Sequence, residues 1–516
     1  MVPLEISADA IEGTLEHFNT IRPSDIYPLS PEFELLLASP QESARLIFRQ
    51  LEHFDWSREQ EYAPPLIGHV EIGKGQYRKS LYLDPLLDVL LTSLVKEIAS
   101  EIERMRLPCS SNTVFSYRWK PENGVWFNPG VGWKEFAAEE RHYLSRSSFT
   151  GIVDIGQFYE SIRPRMLEAA LQYAGVQRER QLPIITLLRL CRLDDFGLPV
   201  GGTASRILAE ACLTPIDHAL HDEGVRFIRF VDDYRIFADS EKELKSALWT
   251  LARNLGEVGL SLNKSKTRLL DSAEYAEQLD AQPTARLKRN SRGGVNVALD
   301  KFDPYSQLVG QRVEELKAIS NTQNIYDTLA FEFEKLEPSC RSLKFLLAAL
   351  QFASLEELQR SLKLVFGVIA TGKLNRLSLT LERVVASRQE ALHPDLRETL
   401  AETLWSHFDN ELYTTPDGTL ALWIRMIGHL SPSLSPVESQ KRIKRLTETR
   451  YSVILQREMV RLQLLAKGDG ERFARKECFA SGNPWFRGLC LSLMGDDRTN
   501  KQENGTALEH IMRQLK

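Results

Sequence analysis

The chain is poor in cysteine: its six cysteines are scattered through 516 residues, and no two of them form a CxxC pair. This spacing argues against both a disulfide framework and a zinc cluster, so we expect reduced cysteines in the core. No stretch approaches the roughly 18 consecutive apolar residues of a membrane span. The first residues also lack the basic segment and apolar core of a signal peptide. We therefore expect a cytoplasmic protein with no membrane partner.

The chain also lacks an excess of positive charge, since 65 basic residues stand against 70 acidic ones and the formal net charge is −5. A nucleic-acid partner must therefore be sought in local basic segments. The clearest is AQPTARLKRNSRGGVNV at 281–297, which has four basic residues and no acidic one. Two interpretations remain open for it, a solvated linker and a strip that contacts phosphates.

Length and pattern divide the chain into several units. With 516 residues it is long enough for about two to four domains. Up to about residue 270, strand-like runs alternate with helical ones, whereas residues 302–516 form a succession of amphipathic helical segments. We predict a helical extension at 1–60, an α+β unit at 61–275, a basic linker at 276–300 and an all-α unit at 301–516.

The helical half allows two interpretations. Segments such as CRSLKFLLAALQF and YSVILQREMVRLQLLA have the length of helices and end at breaks marked by Pro or Gly. These features are typical of an α-solenoid of stacked helix pairs. Because no fixed-period repeat is present, a single irregular helical domain is the alternative.

Asp232 and Asp233 lie between two short β-rich runs, GVRFIRF and YRIFA. This pattern predicts a hairpin with both acids at its turn. A solvated Asp–Asp turn is common and needs no function. Here, however, apolar and aromatic residues enclose the pair on both sides, and an unpaired carboxylate in such surroundings is costly. The enclosure favours a bound cation.

A third acid, Asp154, ends the apolar run in GIVDIGQFYESI at 151–162. The segment predicts a strand followed by a helix that begins at Phe158. In one interpretation Asp154 only caps that helix. In the other, acids from two strands hold two Mg²⁺ ions about 4 Å apart, which activate an attacking hydroxyl and stabilise a leaving pyrophosphate. One acid at a strand end and two at a neighbouring hairpin meet that need, and Mn²⁺ is the alternative ion.

Two further segments are weak signals when taken alone. GLPVGGTAS at 197–205 precedes an apolar helix, and its glycines indicate either a turn or a close approach of the backbone to a sugar, base or phosphate. It is not a P-loop, because no Gly-Lys-Ser/Thr follows. LNKSKT at 262–267 places Lys266 after a long predicted helix. A lone lysine there is ordinarily a surface residue.

In this order and spacing, VDIGQFY, GLPVGGTAS, FVDD and LNKSKT resemble motifs A, B, C and D of the reverse-transcriptase palm. The resemblance covers residues 62–270, and FVDD stands in place of the usual YxDD. It implies α+β reverse-transcriptase fingers and palm, and the helical pattern that follows predicts an all-α helical-repeat domain, a HEAT-like solenoid. It also implies site residues: Asp154, Asp232, Asp233 and the backbone of Ile155 as metal ligands, and Lys266 as the lysine that assists the departing pyrophosphate.

The same resemblance implies residues that bind the substrate. Tyr159 takes the position of the aromatic steric gate against a ribose 2′-hydroxyl, which implies deoxynucleoside triphosphates as substrates. Gln157 and Phe158 are the neighbouring alternatives for this gate. The motif B residues implied to contact the nucleotide are Gly201, Gly202 and Ser205.

Upstream, GKGQYRKS at 73–80 resembles the fingers segment whose basic residues grip the incoming triphosphate. The residues concerned are Lys74, Arg78 and Lys79. A solvated basic turn explains the same residues equally well.

Finer similarities favour bacterial defence enzymes. VFSYRWKP at 114–121, DIGQFYESI and GLPVGGTASRILAEACL are similar to segments of bacterial defence-associated reverse transcriptases. With its helical carboxyl half, the chain most resembles the abortive-infection polymerases of the bacterial cytoplasm. That family implies untemplated DNA synthesis from a protein hydroxyl, a single-stranded product attached to the protein, homo-oligomers and a block to phage growth. Two alternatives remain: an enzyme that copies a dedicated noncoding RNA, and an inactive palm that serves as a helical scaffold.

Overall fold

The structure is a computed structural model that describes residues 4, 6–73, 76–122, 124–281, 309–322, 324–335, 340–369, 375–411, 415–430, 452–465, 475–476, 478, 482–494 and 505–515. Apart from its first residue, the basic strip lies outside these ranges, so both interpretations of it stay open. Within the described ranges, no helix is both long and apolar enough to cross a membrane.

The first half of the chain mixes helices and strands, as the sequence predicts. Its helices are α1 (Ala8–Thr20), α2 (Pro31–Ala38), α3 (Pro40–Gln50), α4 (Pro85–Met105), α5 (Trp133–Leu144), α6 (Phe158–Ser161), α7 (Pro164–Tyr173), α8 (Arg178–Leu190), α9 (Leu193–Phe196), α10 (Thr203–Asp222), α11 (Glu241–Glu257) and α12 (Ser272–Ala281). Its strands are β1 (Leu66–Gly73), β2 (Gln76–Tyr82), β3 (Trp119–Glu122), β4 (Val125–Phe127), β5 (Phe149–Asp154), β6 (Arg226–Phe230), β7 (Asp233–Ala238) and β8 (Arg268–Asp271).

The described part of the second half is helical, which confirms the predicted change of character after the α+β unit. Its α-helices are α13 (Val309–Thr322), α14 (Ile325–Glu334), α15 (Cys340–Ala349), α16 (Leu355–Ile369), α17 (Ser378–Arg388), α18 (Pro394–Glu411), α19 (Asp417–Leu430), α20 (Val453–Leu465), α21 (Pro484–Met494) and α22 (Ala507–Leu515).

A four-stranded antiparallel sheet, in the order β6-β7-β5-β8, positions the acidic residues. The predicted β6–β7 hairpin is confirmed, with only Val231 and Asp232 between its two strands. In the β5–β7 ladder, Asp154 lies opposite Asp233. All three acids therefore lie at one edge of the sheet, because β5 ends where the β6–β7 turn begins.

The β1–β2 hairpin lies against helix α19. The backbone N–H of His69 donates to the Asp417 Oδ1 atom at 3.0 Å. At Gly418, a Cβ atom would lie only 2.8 Å from the His69 carbonyl oxygen. The glycine therefore permits the close approach of the first turn of α19 to the hairpin.

Two hydrophobic cores lie in the described chain. The first combines the sheet and its surrounding helices with α21 and α22, through fully buried residues such as Leu489 and Ile511. The second lies among α13–α20 and contains one residue of the first half, Tyr27. The two ends of the chain therefore share a core.

Buried ion pairs join the helical half to the N-terminal segment. Arg457 of α20 pairs with Glu32 of α2, and each side chain is 2% exposed. Arg425 of α19 donates to the Leu29 carbonyl oxygen at 2.5 Å and pairs with Glu34 at 3.1 Å. Because a buried arginine is costly without its partners, these contacts fix how the two halves meet.

In helices α14–α19, each helix packs on the next but one along the chain. Helix α15 packs on α17 and α17 on α19, whereas α14 packs on α16 and α16 on α18. Alternate helices therefore lie side by side, in two rows.

A cavity opens between residues 22–30, strand β2 and the segment before α10, and Asp88 of α4 lines it. The Thr92 hydroxyl donates to Asp88 Oδ1 at 3.3 Å. Burial raises the pKa of Asp88 to about 7. Asp84, the N-cap of α4, is also buried, but it accepts backbone N–H groups from Ala63 and Leu86, each at 2.8 Å.

We predict that Asp88→Asn stabilises the protein at pH 8 by about 2 kcal/mol. A carboxyl whose pKa rises on folding binds a proton in the folded state that it has lost in the unfolded state. The contribution of Asp88 to the free energy of unfolding therefore falls as pH rises from about 4 to about 7. Asparagine does not ionise, so the variant avoids this loss of stability. Urea unfolding at pH 5 and pH 8 measures both free energies.

Asp84→Ala is the comparison variant: burial raises the pKa of Asp84 to about 7 as well, but this substitution removes an accepting cap, so it should destabilise the protein at pH 5, where Asp88→Asn has little effect. Equal loss of stability in the two variants would contradict the role given to Asp88.

Candidate active site

The three acids of the sheet edge meet the loop that contains Lys266. The Lys266 Nζ atom lies 2.8 Å from Asp154 Oδ1. On the other side of the same carboxylate, the side-chain amide of Asn263 donates to Asp154 Oδ2 at 3.0 Å. Gln157, not Asp154, occupies the N-cap position of α6. The capping interpretation of Asp154 is therefore wrong, and its carboxylate faces the loop.

Backbone hydrogen bonds place that loop beside Asp154. The Asn263 N–H donates to the Asp154 carbonyl oxygen at 2.8 Å, and the Gly156 N–H donates to the Ser261 carbonyl oxygen at 2.9 Å. The predicted helix before the loop is confirmed as α11, whose N-cap Ser240 accepts a hydrogen bond from the Glu243 N–H. The position of Lys266 thus follows from the strand-like pairing of its loop.

The acids are crowded enough to disturb each other's ionisation. Burial, and then repulsion from Asp233 and Asp154, raises the pKa of Asp232 to about 7. Burial also raises the pKa of Asp233, and Arg235 opposes that rise. Partial burial lowers the pKa of Lys266, but its hydrogen bond to Asp154 and the nearby acids outweigh this effect and raise it. Lys266 therefore stays protonated and is a positive charge among three acids.

The residues of this edge fit a divalent cation by their chemistry. Three carboxylates meet here, Lys266 pairs with one of them, and burial together with repulsion between the acids raises the pKa of Asp232. In the described part of the chain, no three His, Cys, Asp or Glu side chains already surround a metal position. A cation that binds Asp154 must therefore displace Lys266 or share the carboxylate with it.

The turn that carries Asp232 has an unusual backbone. Val231 has a φ of 56°, a conformation that β-branched residues rarely adopt and that costs about 1–3 kcal/mol. Two hydrogen bonds hold the turn: the Ile155 N–H donates to the Asp232 carbonyl oxygen at 3.1 Å, and Arg229 Nη1 donates to the Val231 carbonyl oxygen at 2.9 Å. The position of Asp232 therefore depends on groups outside the turn.

Tyr159 lies beside the acids. Burial raises its pKa well above the ordinary value, and Tyr117, Arg206 and Asp232 are the charged or polar groups that affect it. Its carbonyl oxygen accepts the Leu198 N–H at 2.9 Å, which ties the tyrosine to motif B. Tyr159 therefore interacts electrostatically with Asp232 and is joined to motif B through its backbone.

The motif B glycines have reasons in the packing of the chain itself. At Gly197 the φ is 70°, and a Cβ atom would lie 2.3 Å from the Tyr159 carbonyl oxygen. At Gly201 the φ is 99°, and a Cβ atom would lie 2.6 Å from Asp25 Oδ1. Gly202 lies near Pro23, with its Cβ position 3.7 Å from that carbonyl oxygen. Gly197 therefore permits a close backbone contact and Gly201 a close approach of the Asp25 side chain, in addition to any role with a substrate.

An N-terminal segment covers motif B. Asp25 pairs with Arg206 of α10 at 2.8 Å. His17 of α1 hydrogen-bonds to the Thr203 hydroxyl at 3.1 Å, and Ser205 is only 2% exposed. The predicted nucleotide contacts of motif B thus lie under residues 23–26 in this structure.

The basic residues predicted for the fingers are only partly described. Arg78 and Lys79 lie on β2 and are exposed. The Lys79 Nζ atom lies 5.8 Å from the centre of the Phe196 ring, at the entrance to motif B. Lys74 lies outside the described residues.

Sequence reasoning missed two residues that hold the site. Asn263 lies in the sequence segment quoted for Lys266. Its position opposite the end of β5 is visible only in the structure. Arg229 is fully buried in β6. Its signal was a charged residue within the apolar run RFIRF, where both faces of the strand are buried.

One family model matches the part of the chain that carries this site. Residues 89–280 match the family model described as reverse transcriptase (RNA-dependent DNA polymerase). No curated protein sequence matches the chain. One similar solved structure is telomerase from Candida albicans in complex with a fragment of telomeric RNA, with 13% identity and a TM-score of 0.32. That alignment covers 70% of this chain and 66% of the telomerase chain, or about two thirds of its length.

The family match includes β5, the β6–β7 hairpin and the loop of Lys266. It therefore includes the three carboxylates and Lys266, which pairs with Asp154. Residues 89–280 are thus similar to reverse transcriptases, and the matched segment carries the motifs that meet at this edge of the sheet.

Proposed function

We propose that the chain is a DNA polymerase that adds deoxynucleotides by two-metal phosphoryl transfer. The observation that carries this proposal is the meeting of Asp154, Asp232 and Asp233 with Lys266 inside a reverse-transcriptase domain. Such domains generally use divalent ions, and the proposed ions are two Mg²⁺, with Mn²⁺ as a substitute. When bound, the ions activate the attacking hydroxyl and neutralise the departing pyrophosphate.

Each residue at the site has a distinct proposed role. Asp154 and Asp232 are the principal ligands, Asp233 is the adjoining acid, and the backbone of Ile155 completes the set. Lys266 is protonated and already lies at the carboxylate cluster. After release from Asp154, its ammonium group is placed to donate a proton to the pyrophosphate oxygen that leaves the α-phosphorus.

The proposed nucleotide site extends from Tyr159 to motif B and the fingers. Tyr159 limits space beside the ribose 2′-carbon, and Lys74, Arg78 and Lys79 grip the triphosphate. Gly201, Gly202 and Ser205 border the nucleotide. Because residues 23–26 lie over these motif B residues, that segment must yield space when the nucleotide enters.

We further propose that synthesis is untemplated and starts from a hydroxyl of the protein. A templated polymerase must hold a duplex of several base pairs, which normally requires a basic thumb directly after motif D. Here the region offers the strip at 281–297 and then helices of mixed charge. The side-by-side packing of alternate helices supports a HEAT-like solenoid, whose surface can guide one single strand.

The biological setting is proposed from the resemblance to abortive-infection polymerases. In this setting the protein acts in the bacterial cytoplasm, assembles as a homo-oligomer and blocks phage growth. Its DNA product stays attached to the chain. The second candidate is an RNA-templated enzyme that copies a dedicated noncoding RNA, and the description of the matching family as RNA-dependent polymerases favours it.

We predict that Asp232→Asn, and separately Asp154→Asn, abolishes nucleotide incorporation without unfolding the protein. The amide keeps the shape of the side chain but removes the charge that holds Mg²⁺, so the rate should fall by orders of magnitude. Incorporation of labelled deoxynucleotides measures the rate, and thermal melting checks the fold.

The matched control for these substitutions is Asp239→Asn. This acid lies just after β7 and pairs with Arg226 at 2.9 Å, and its side chain is 65% exposed. It should keep full activity. Synthesis at the wild-type rate by folded Asp232→Asn protein would contradict the assignment.

We predict that Tyr159→Ala raises the use of ribonucleotides relative to deoxynucleotides. Truncation opens space beside the 2′-carbon, so the ratio of the two kcat/KM values should shift toward ribonucleotides. Tyr173→Ala, at an exposed position on α7, should leave the ratio unchanged. The same ratio in both variants would place the gate at another residue.

We predict that the protein labels itself. Nuclease-treated protein is incubated with Mg²⁺ and labelled deoxynucleotides, without template or primer, and is run on a denaturing gel. Label that migrates with the polypeptide and resists heat and detergent supports priming from a protein hydroxyl. Synthesis only after addition of an RNA template and primer would reject self-priming in favour of the templated enzyme.

A further inference from the structure

The turn between β6 and β7 has a strained backbone that its own residues do not stabilise. Val231 holds a left-handed conformation that a β-branched side chain disfavours. Its peptide group leads directly into Asp232, so the orientation of that peptide determines where the carboxylate points. A strained turn persists only when the surrounding structure imposes it.

Arg229 supplies that constraint. It precedes the turn on β6 and its side chain is 0% exposed. Its Nη1 atom donates to the Val231 carbonyl oxygen at 2.9 Å. The guanidinium of Arg229 therefore holds the peptide group that joins Val231 to Asp232, two residues further along the chain.

Two acids of α10 hold the guanidinium itself. Asp217 accepts its Nε–H at 2.9 Å and its Nη2–H at 2.5 Å. Glu210 accepts the Nη2–H at 2.9 Å. Both acids are nearly fully buried. A planar guanidinium bound on two edges by carboxylates has little freedom to rotate, so its remaining N–H points in a fixed direction.

The acids are fixed in turn by neighbouring elements. Glu210 also accepts hydrogen bonds from Arg106 at 2.8 Å and from the Ser116 hydroxyl at 2.5 Å. Asp217 also accepts the Tyr234 hydroxyl at 3.2 Å. The position of the guanidinium is therefore set by α10, α4 and β7 together.

We propose that Arg229 is a positioning residue for the catalytic acid Asp232. Through the Val231 carbonyl it keeps the strained turn in the arrangement that places Asp232 near the Asp154–Asp233 pair. Because α10 begins at Thr203, directly after the motif B glycines, the same helix positions both the nucleotide-binding loop and the metal-binding turn. This inference rests on the proposed polymerase function.

The test is Arg229→Lys, which keeps the charge but cannot bind both acids and the carbonyl at once. A displaced metal ligand affects the chemical step more than substrate binding, so kcat should fall on the order of 10- to 100-fold. The KM for deoxynucleotide should stay within about threefold. Because Mg²⁺ demands a near-ideal octahedron, the loss should be smaller in Mn²⁺. Binding of Mn²⁺, measured by electron paramagnetic resonance, should weaken as well.

Arg487→Lys is the matched control, because Arg487 is also a buried arginine. Its Nε atom lies 3.1 Å from both carboxylate oxygens of Glu509, and it donates to the Gly482 carbonyl oxygen. It lies in α21, whereas Arg229 lies in the palm sheet. The control should lose stability without a change in kcat, in the ratio of Mg²⁺ to Mn²⁺ activity, or in Mn²⁺ affinity.

The outcomes separate the two proposals. Wild-type protein without metal-dependent incorporation would reject the polymerase function. Active wild-type protein in which Arg229→Lys behaves like Arg487→Lys would reject the positioning role alone. If Arg229→Lys does not fold, Asp217→Asn decides: it frees one edge of the guanidinium and should give a smaller loss of kcat, again with recovery in Mn²⁺. An unchanged metal ratio in that variant overturns the inference.

Discussion

The mutual repulsion of three carboxylates is the constraint on which this site depends. Strand pairing places Asp154 opposite Asp233, and the tight turn places Asp232 next to them. Without compensation these acids would repel one another, and burial together with this repulsion raises the pKa of Asp232. The loop before β8 supplies the compensation, since Lys266 and Asn263 take both oxygens of Asp154. The loop thus packs on the sheet edge where the positive charge is needed.

A second layer of charge lies beneath the same edge. Arg229 and Arg106 share Glu210, and Asp217 completes the cluster around Arg229. Apolar side chains would fill that space at a lower cost of desolvation, but they would not give direction to a backbone carbonyl. The pKa of Glu210 is lowered because its arginine partners outweigh burial, so its charge persists. A layer of paired charges thus lies beneath the three carboxylates, and in the proposed reaction Lys266 must leave Asp154.

Much of the fold and the centre of the site could be predicted because their signals are local. The β6–β7 hairpin, the end of β5 at Asp154 and helix α11 each follow from alternation or helical spacing within one segment. The position of Lys266 required the order of the four motifs. What remained hidden depends on contacts between distant parts of the chain: Asp25 over Gly201, and Arg457 with Glu32. The sequence around an acid such as Asp25 or Glu32 does not indicate which distant residue it contacts in the fold.

One of the connections between the helical half and the first half runs through a short segment, residues 22–30. On one side, residues 22–30 approach Gly201 and bind Arg206 through Asp25. On the other side, the Leu29 carbonyl accepts Arg425 of α19. Both arginines have little exposure, so a shift of α19 relative to the sheet must strain one of these contacts or carry the segment with it. The space above motif B is therefore set jointly by the palm and by the helices that follow it.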